Sequence, residues 1–399
     1  MYSIESLGYP LAYKVTEGLH LSLDGIAVRV EARALAGMQK EALVHHGPSA
    51  TVWRMVSDEG PYLNGTDLAP FPLAFFATGM ALSFIEELLQ HAAEAGISIR
   101  DYRLTQDNFY TMEGSAIRGD MLGGSLPVEW HVQLGTDASQ TAVEALVEQA
   151  ERTSPAQAYM RQELDNTFSL YRNGQQLGVA DVGHSPDEEI KPEPTPKLAE
   201  SRPLRATTFA PDIITKLEAA QSVFGVEGGA GSSLQATQKR TLHVRAVVTP
   251  GKDGLKQVIV QLFKPLGSTF RFLADVDVGA GGENRAPSGL AYLAAGVGFC
   301  FMTQTGRYAS ILKHELRAYS IVQDSIFDRD GDLATARDVD THLFLDTQEP
   351  EAICQQILTM SERTCFLHAA MRSSNKTKIQ VERVSSNIEQ DRVSRLLKC

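Results

Sequence analysis

The chain has 399 residues, 43% of them hydrophobic and 22% charged, with a formal net charge of −12 at pH 7. That length favours two or three domains with cores of their own, and the composition excludes a disordered or fibrous protein. The negative balance argues against a general nucleic-acid binder, which needs a basic face such as Lys239, Arg240 and Arg245 offer only locally. No uninterrupted apolar run reaches bilayer length and the N-terminus lacks the pattern of a secretion signal, so a cytoplasmic protein without a membrane partner is expected.

In chain order, the apolar pattern predicts helices at about Pro72–Ala95 and Asp137–Arg161. From Val182 to Pro203 repeated prolines and acidic residues read as an extended linker. It divides the chain into a unit at 1–181, a linker at 182–205 and a unit at 206–399. A short helix at Pro211–Val223 and a flexible loop at Gly225–Ser233 follow. Alternation then predicts strands at Thr241–Val248, Gln257–Phe263 and Thr269–Val276, with a turn at Gly251–Gly254. A helix opens at Ala286-Pro-Ser-Gly and runs to about Arg307. Strands at Leu316–Asp324 and Val339–Asp346, a helix at Pro350–Met371 and a strand at Lys378–Arg383 complete the unit.

The two units echo one another. Leu73-Ala-Phe-Phe-Ala-Thr-Gly-Met-Ala-Leu-Ser83 returns 217 positions later as Leu290-Ala-Tyr-Leu-Ala-Ala-Gly-Val-Gly-Phe-Cys300. At the same spacing Trp53-Arg54 and Asp58 match Phe270-Arg271 and Asp275, and Ala69-Pro70 matches Ala286-Pro287. Glu151-Arg-Thr-Ser154 returns as Glu362-Arg-Thr-Cys365, so a serine faces a cysteine twice. A period this long reads as duplication of a domain. All four cysteines, Cys300, Cys354, Cys365 and Cys399, lie in the second unit, too few for a disulfide framework. Cys354 reads as a buried helical residue.

Strands, a helix ending in one cysteine, more strands and a helix bearing a second cysteine form a pattern that resembles the OsmC/Ohr family of osmotically inducible and organic-hydroperoxide-resistance proteins. The resemblance rests on Gly281-Gly-Glu-Asn-Arg-Ala-Pro-Ser-Gly289 through Cys300 and on Ser361-Glu-Arg-Thr-Cys365. It implies an α+β fold of two tandem domains, each an antiparallel sheet packed with two main helices. Because family members form intertwined homodimers, the repeats would pair as an internal pseudo-dimer, with a further homodimer open. Cys300 would be the peroxidatic thiol and Cys365 the resolving thiol. An external dithiol would be the reductant, with no bound cofactor.

The sequence departs from the family where the thiolate is supported. Only the anion attacks a peroxide quickly, and Cys300 lies about three turns into its helix, beyond the reach of the dipole. A cation is therefore required. The family supplies an arginine held by a glutamate, whereas the equivalent turn carries Lys252, and Leu290 and Ala291 stand where the glutamate is expected. Arg271 and Lys252 are the candidate replacements in the second unit, with Arg54 or Arg33 reaching across from the first. Tyr292, Phe299, Arg54 and Arg285 are the candidate substrate contacts, around an apolar small molecule. Phe366 also replaces the proline that usually follows the second cysteine, a proline kept as Pro155 in the first unit.

Other readings use the same residues. Cys365 and His368 share a helical face and with Cys300 offer three metal ligands, although no second ligand pair accompanies them and no metal is expected. Ser83 with His45, His46 and Glu87 lacks a nucleophile elbow, so the first unit is expected to be structural or to complete a pocket. Two further functions stay open: Cys300 attacking another electrophilic or sulfur-containing metabolite, and a non-catalytic binder of an apolar small molecule.

Overall fold

Strict alternation from Tyr102 to Met112 buries every second side chain, the signature of a strand with one face on a core. The structure is a computed structural model that describes residues 2–15, 23, 26–201, 212–219, 239–276 and 281–384. The first half contains α1 (Ile4–Leu7), β1 (Ala12–Lys14), β2 (Ile26–Ala34), β3 (Lys40–His46), β4 (Thr51–Ser57) and α2 (Pro72–Glu94). It continues with β5 (Asp101–Glu113), β6 (Leu122–Ser125), β7 (Glu129–Gly135), α3 (Gln140–Thr153), α4 (Pro155–Arg161), β8 (Thr167–Arg172) and β9 (Gln175–Leu177). β10 (Gly183–His184) and α5 (Thr195–Glu200) lie in the connecting stretch. The second half runs β11 (Ile214–Glu218), β12 (Lys239–Pro250), β13 (Lys256–Lys264), β14 (Thr269–Ala274) and α6 (Gly289–Leu312). It ends with β15 (Ala318–Asp330), β16 (Leu333–Ala336), β17 (Asp340–Asp346), α7 (Glu351–Thr364), α8 (Phe366–Met371) and β18 (Lys378–Val384).

The protein is mixed α+β with two sheets, and each sheet takes strands from both halves. One is ordered β1-β4-β3-β2-β15-β17-β8-β10 and the other β11-β14-β13-β12-β5-β7-β18. The halves join where β2 pairs antiparallel with β15, Arg33 opposite Ser320, and where β12 pairs antiparallel with β5, Leu242 opposite Tyr110. The expected purely antiparallel sheets are corrected, because β8 joins β17 and β18 joins β7 in parallel.

Helix α6 packs on β2, β3 and β15, helix α2 packs on β12, β13 and β5, and the two helices lie against each other between the sheets. Glycine permits that contact. A Cβ on Gly79 would stand 2.5 Å from the backbone N of Leu293, and one on Gly296 would stand 2.5 Å from the backbone N of Phe76. The helix Pro72–Glu94 is long and apolar enough to cross a membrane, contrary to the reading of the sequence, but 89% of its apolar window is buried inside the protein.

Three further expectations change. The segment expected as a helix at Pro211–Val223 contains β11 instead, where Ile214 pairs with Phe272 on β14 and gains a covered edge. The expected extended linker carries α5, whose Leu198 is buried with Tyr13, Val15, Leu43 and Val52 on the outer face of the first sheet. The two long C-terminal helices are each broken at the second echo, Ser154 and Cys365 having ψ of 117°. At Ser154 the following proline disfavours helix; at Cys365 the break persists without it. Gly225–Ser233 and Cys399 lie outside the described residues.

Candidate functional site

Cys300 sits in the buried middle of α6, and Cys365 occupies the N-cap position of α8. The two thiols are buried and free, and each acts on the other electrostatically. Burial first, then the proximity of Cys300, pushes the Cys365 thiol well above its ordinary range, opposed by the nearby backbone amides of His368 and Leu367. Cys365 stands at the N-cap of α8 with extended backbone and no side-chain capping hydrogen bond, so nothing in its side chain explains the break.

The rest of the site comes from the first half, because β3 and the loop after β4 lie over α6. Glu59, Tyr62, Thr303 and Phe366 line the crevice that Cys300 faces, which holds only about 20 Å³. That is room for one water. Glu59 accepts from the Tyr62 hydroxyl at 2.7 Å and from the Thr303 hydroxyl at 3.0 Å. Burial pushes the Glu59 carboxyl above its usual range, opposed by the Lys40 ammonium. Lys40 itself is 1% exposed and donates to the Met38 carbonyl. Burial pulls its ammonium down, and the charges of Glu59, Asp58 and Cys300 push it back up. Tyr110, on β5, has its phenol pushed well above the ordinary range by burial and then by the charges of Cys300 and Cys365.

The echoed aspartates tie the loops that carry these groups. Asp58 accepts from the backbone of Glu59, Thr66 and Leu68 and from the Thr66 hydroxyl. Asp275 does the same for Val276, Glu283 and Arg285. The second arrangement serves α2: Ser83 Oγ and Ser154 Oγ lie 2.9 Å apart, with Lys256 nearby. Lys40 and Lys256 both open a strand and are both buried.

The cations expected at Cys300 are elsewhere. Arg54 is 2% exposed on the opposite face of its sheet, ion-paired with Glu41 and donating to Tyr13 at 2.6 Å. Arg33 shares that Glu41. Alternation decides this: Trp53 and Met55 point to the helices, so Arg54 points away. For the same reason Arg271, between the buried Phe270 and Phe272, faces outward and donates to Thr215. Lys252 lies on an exposed turn, and Arg285 pairs with Asp275 and donates to the Asp253 carbonyl of that turn. Both belong to the loops over α2, not to the thiols. Tyr292 and Phe299 are core rings packed tilted and edge-on against Phe75, and the Tyr292 hydroxyl donates to the Leu273 carbonyl. Neither lines the crevice.

Because Arg54 neutralises a fully buried carboxylate, Arg54→Ala is expected to lower the unfolding free energy by about 3 kcal/mol in urea titrations. The folded variant should retain wild-type thiol reactivity, which a contact with the reacting group would not allow.

His368 is buried rather than exposed, and burial pulls its imidazole down to about 3. It is a neutral core ring against Phe168 and Phe301. It forms no ligand set with the thiols. Among the described residues the ligand-type side chains that converge are Asp187, Asp340 and His342, and Lys191 already holds Asp187. Arg245, one of the local basic residues, is neutralised by Asp107. Lys40 and Glu59 were the residues missed in the sequence. The signal available was a lysine opening a strand in both halves; Glu59 had none, since its counterpart is Val276.

Residues 281–380 match the family model described as OsmC-like protein. No curated protein sequence matches the chain. Among solved structures the chain is similar to an OsmC-like hydroperoxide resistance protein from Jannaschia sp. CCS1, at 21% identity over 29% of this chain and 75% of that one, with a TM-score of 0.20.

Proposed function

We propose that this protein is a thiol peroxidase acting on organic hydroperoxides, in which a tandem pair of OsmC-like units, 1–181 and 206–399, folds as an internal pseudo-dimer with one working centre. The observation that carries the reading is a pair of buried, free thiols that act on one another, with a buried lysine that feels the charge of Cys300. The OsmC-like match over 281–380 supports a hydroperoxide-related chemistry. The exchange of strands between the halves supports the pseudo-dimer.

In this scheme the Cys300 thiolate attacks the terminal peroxide oxygen. An S–O bond forms as the O–O bond breaks, and the alkoxide leaves as the alcohol with a proton from the site. Cys365 then attacks the sulfur of the Cys300 sulfenic acid. An S–S bond forms, the S–O bond breaks and water leaves. An external dithiol returns both thiols by exchange. Lys40 supplies the cation that the chemistry requires, and Glu59, held by Tyr62 and Thr303, positions it. Since the crevice holds about one water, an organic substrate enters only as the Tyr62 segment moves outward.

The test is stopped-flow oxidation of the reduced protein by cumene hydroperoxide, with intact-mass detection of a Cys300–Cys365 disulfide. Rapid formation that disappears in Cys300→Ser and Cys365→Ser is expected. Oxidation no faster than that of an ordinary free thiol sinks the proposal.

A further inference from the structure

The serine counterpart of the thiol site is not filled in. Over Ser83 and Pro155 opens a cavity of about 680 Å³, against about 20 Å³ at Cys300. That is the size range of small-molecule sites, and its walls come from both halves. One wall is α2, with Glu86, Glu87 and Glu94; facing it are Lys256 of β13, Arg329 of β15 and the N-terminus of α6 at Ser288 and Leu290.

Lys256 is the informative group. It is 6% exposed and lines the cavity, yet the carboxylate paired with it, Glu86, is 3.6 Å away. Among the described residues its ammonium makes no hydrogen bond. A buried ammonium with three donors and one loose ion pair calls for an acceptor in the cavity. At Cys300 the equivalent lysine has a backbone acceptor, the Met38 carbonyl. The remaining charges set the character of the ligand. Arg329 already pairs with Glu87 at 3.2 Å, and His91 bonds Glu94 at 3.2 Å; a simple anion on Lys256 would still meet a wall with more carboxylates than cations, and a simple cation would meet Lys256. A molecule carrying both charges satisfies each wall. Leu89, Val276 and Leu290 supply an apolar surface between them.

We infer that this cavity is a binding site for a zwitterion of the amino-acid or short-peptide class with an apolar side chain, its carboxylate on Lys256 and the end of α6, its ammonium on the carboxylates of α2. The site is distinct from the thiol chemistry, because Ser83 and Ser154 cannot form a disulfide.

Isothermal titration of the full chain with leucyl-leucine tests this, beside the N-acetylated dipeptide and the dipeptide amide. Binding of the free dipeptide is expected, weakened about tenfold or more by blocking either terminus and by Lys256→Met, since each change removes a charge-assisted hydrogen bond. Circular dichroism and urea unfolding report whether Lys256→Met is folded. If it is not, Glu87→Gln is used, and should weaken the free dipeptide but not the N-acetylated form. No binding of the free dipeptide at millimolar concentration overturns the inference, as does equal affinity for the blocked forms or affinity unchanged in the folded variant.

Discussion

Lys40→Met is expected to slow the reaction of Cys300 with an organic hydroperoxide by about two to three orders of magnitude at neutral pH, the scale found when a preorganised charge-stabilising donor is removed. The reason is electrostatic. Cys300 lies in the buried middle of α6, where solvent does little to stabilise an anion, and Lys40 is the cation whose charge it shares. The sign is specific. Loss of the ammonium disfavours the thiolate, so the variant's rate should climb as pH is raised, regaining part of the deficit under alkaline conditions. Lys40→Arg keeps the charge and should retain much of the rate. Unfolding free energy should change little, because burial already works against the Lys40 ammonium and Glu59 can hold a proton in its absence. Alkylation of the thiols by iodoacetamide across the pH range separates the two variants without relying on a peroxide. Equal alkylation profiles in wild type and Lys40→Met would mean that another group supports the thiolate.

Gly296→Val is expected to destabilise the protein by about 3 kcal/mol or more, the upper range for overpacking, because the neighbour that must yield is backbone rather than a side-chain tip. The added carbon would lie 2.5 Å from the Phe76 nitrogen, on a helix itself wedged between its partner and a sheet. Gly79→Val meets the backbone of Leu293 in the same way. The two positions share one interface, so the double variant should lose less than the sum of the singles once the helices have separated. Urea unfolding followed by circular dichroism reads all three. Separation of α2 from α6 should also loosen the thiol site, since the loop bearing Glu59 leads into α2. A Gly296→Val protein as stable as wild type would show that the helices do not cross this closely.

Much of the second half could be read directly. The strands now called β12 to β14 and the helix of Cys300 are local matters of alternation, capping and turn chemistry, and each was found within a few residues, whereas the break at Cys365 was not. The match of Ser83 to Cys300 and of Ser154 to Cys365 was legible as an echo, but that the two serines lie 2.9 Å apart was not. Where local signals were weak the reading failed: the segment at β11 has helix-forming residues, but an open sheet edge beside Phe272 decided it as a strand.

What the sequence by itself determined is therefore most of the element order, the internal echo and the two thiols. Which half supplies the cation was decided only by the tertiary structure. Arg54 and Arg271 were attractive because they repeat, yet a strand turns alternate residues to opposite faces, and both stand on the face away from the helices. Lys40 and Glu59 lie 260 and 241 positions from Cys300 in the chain. They meet it because β2 of one half pairs with β15 of the other, which lays β3 and the loop after β4 over α6. Periodicity and motif spacing report on neighbours along the chain. They carry no information about which strand will close a sheet begun by another half, and that pairing builds the site.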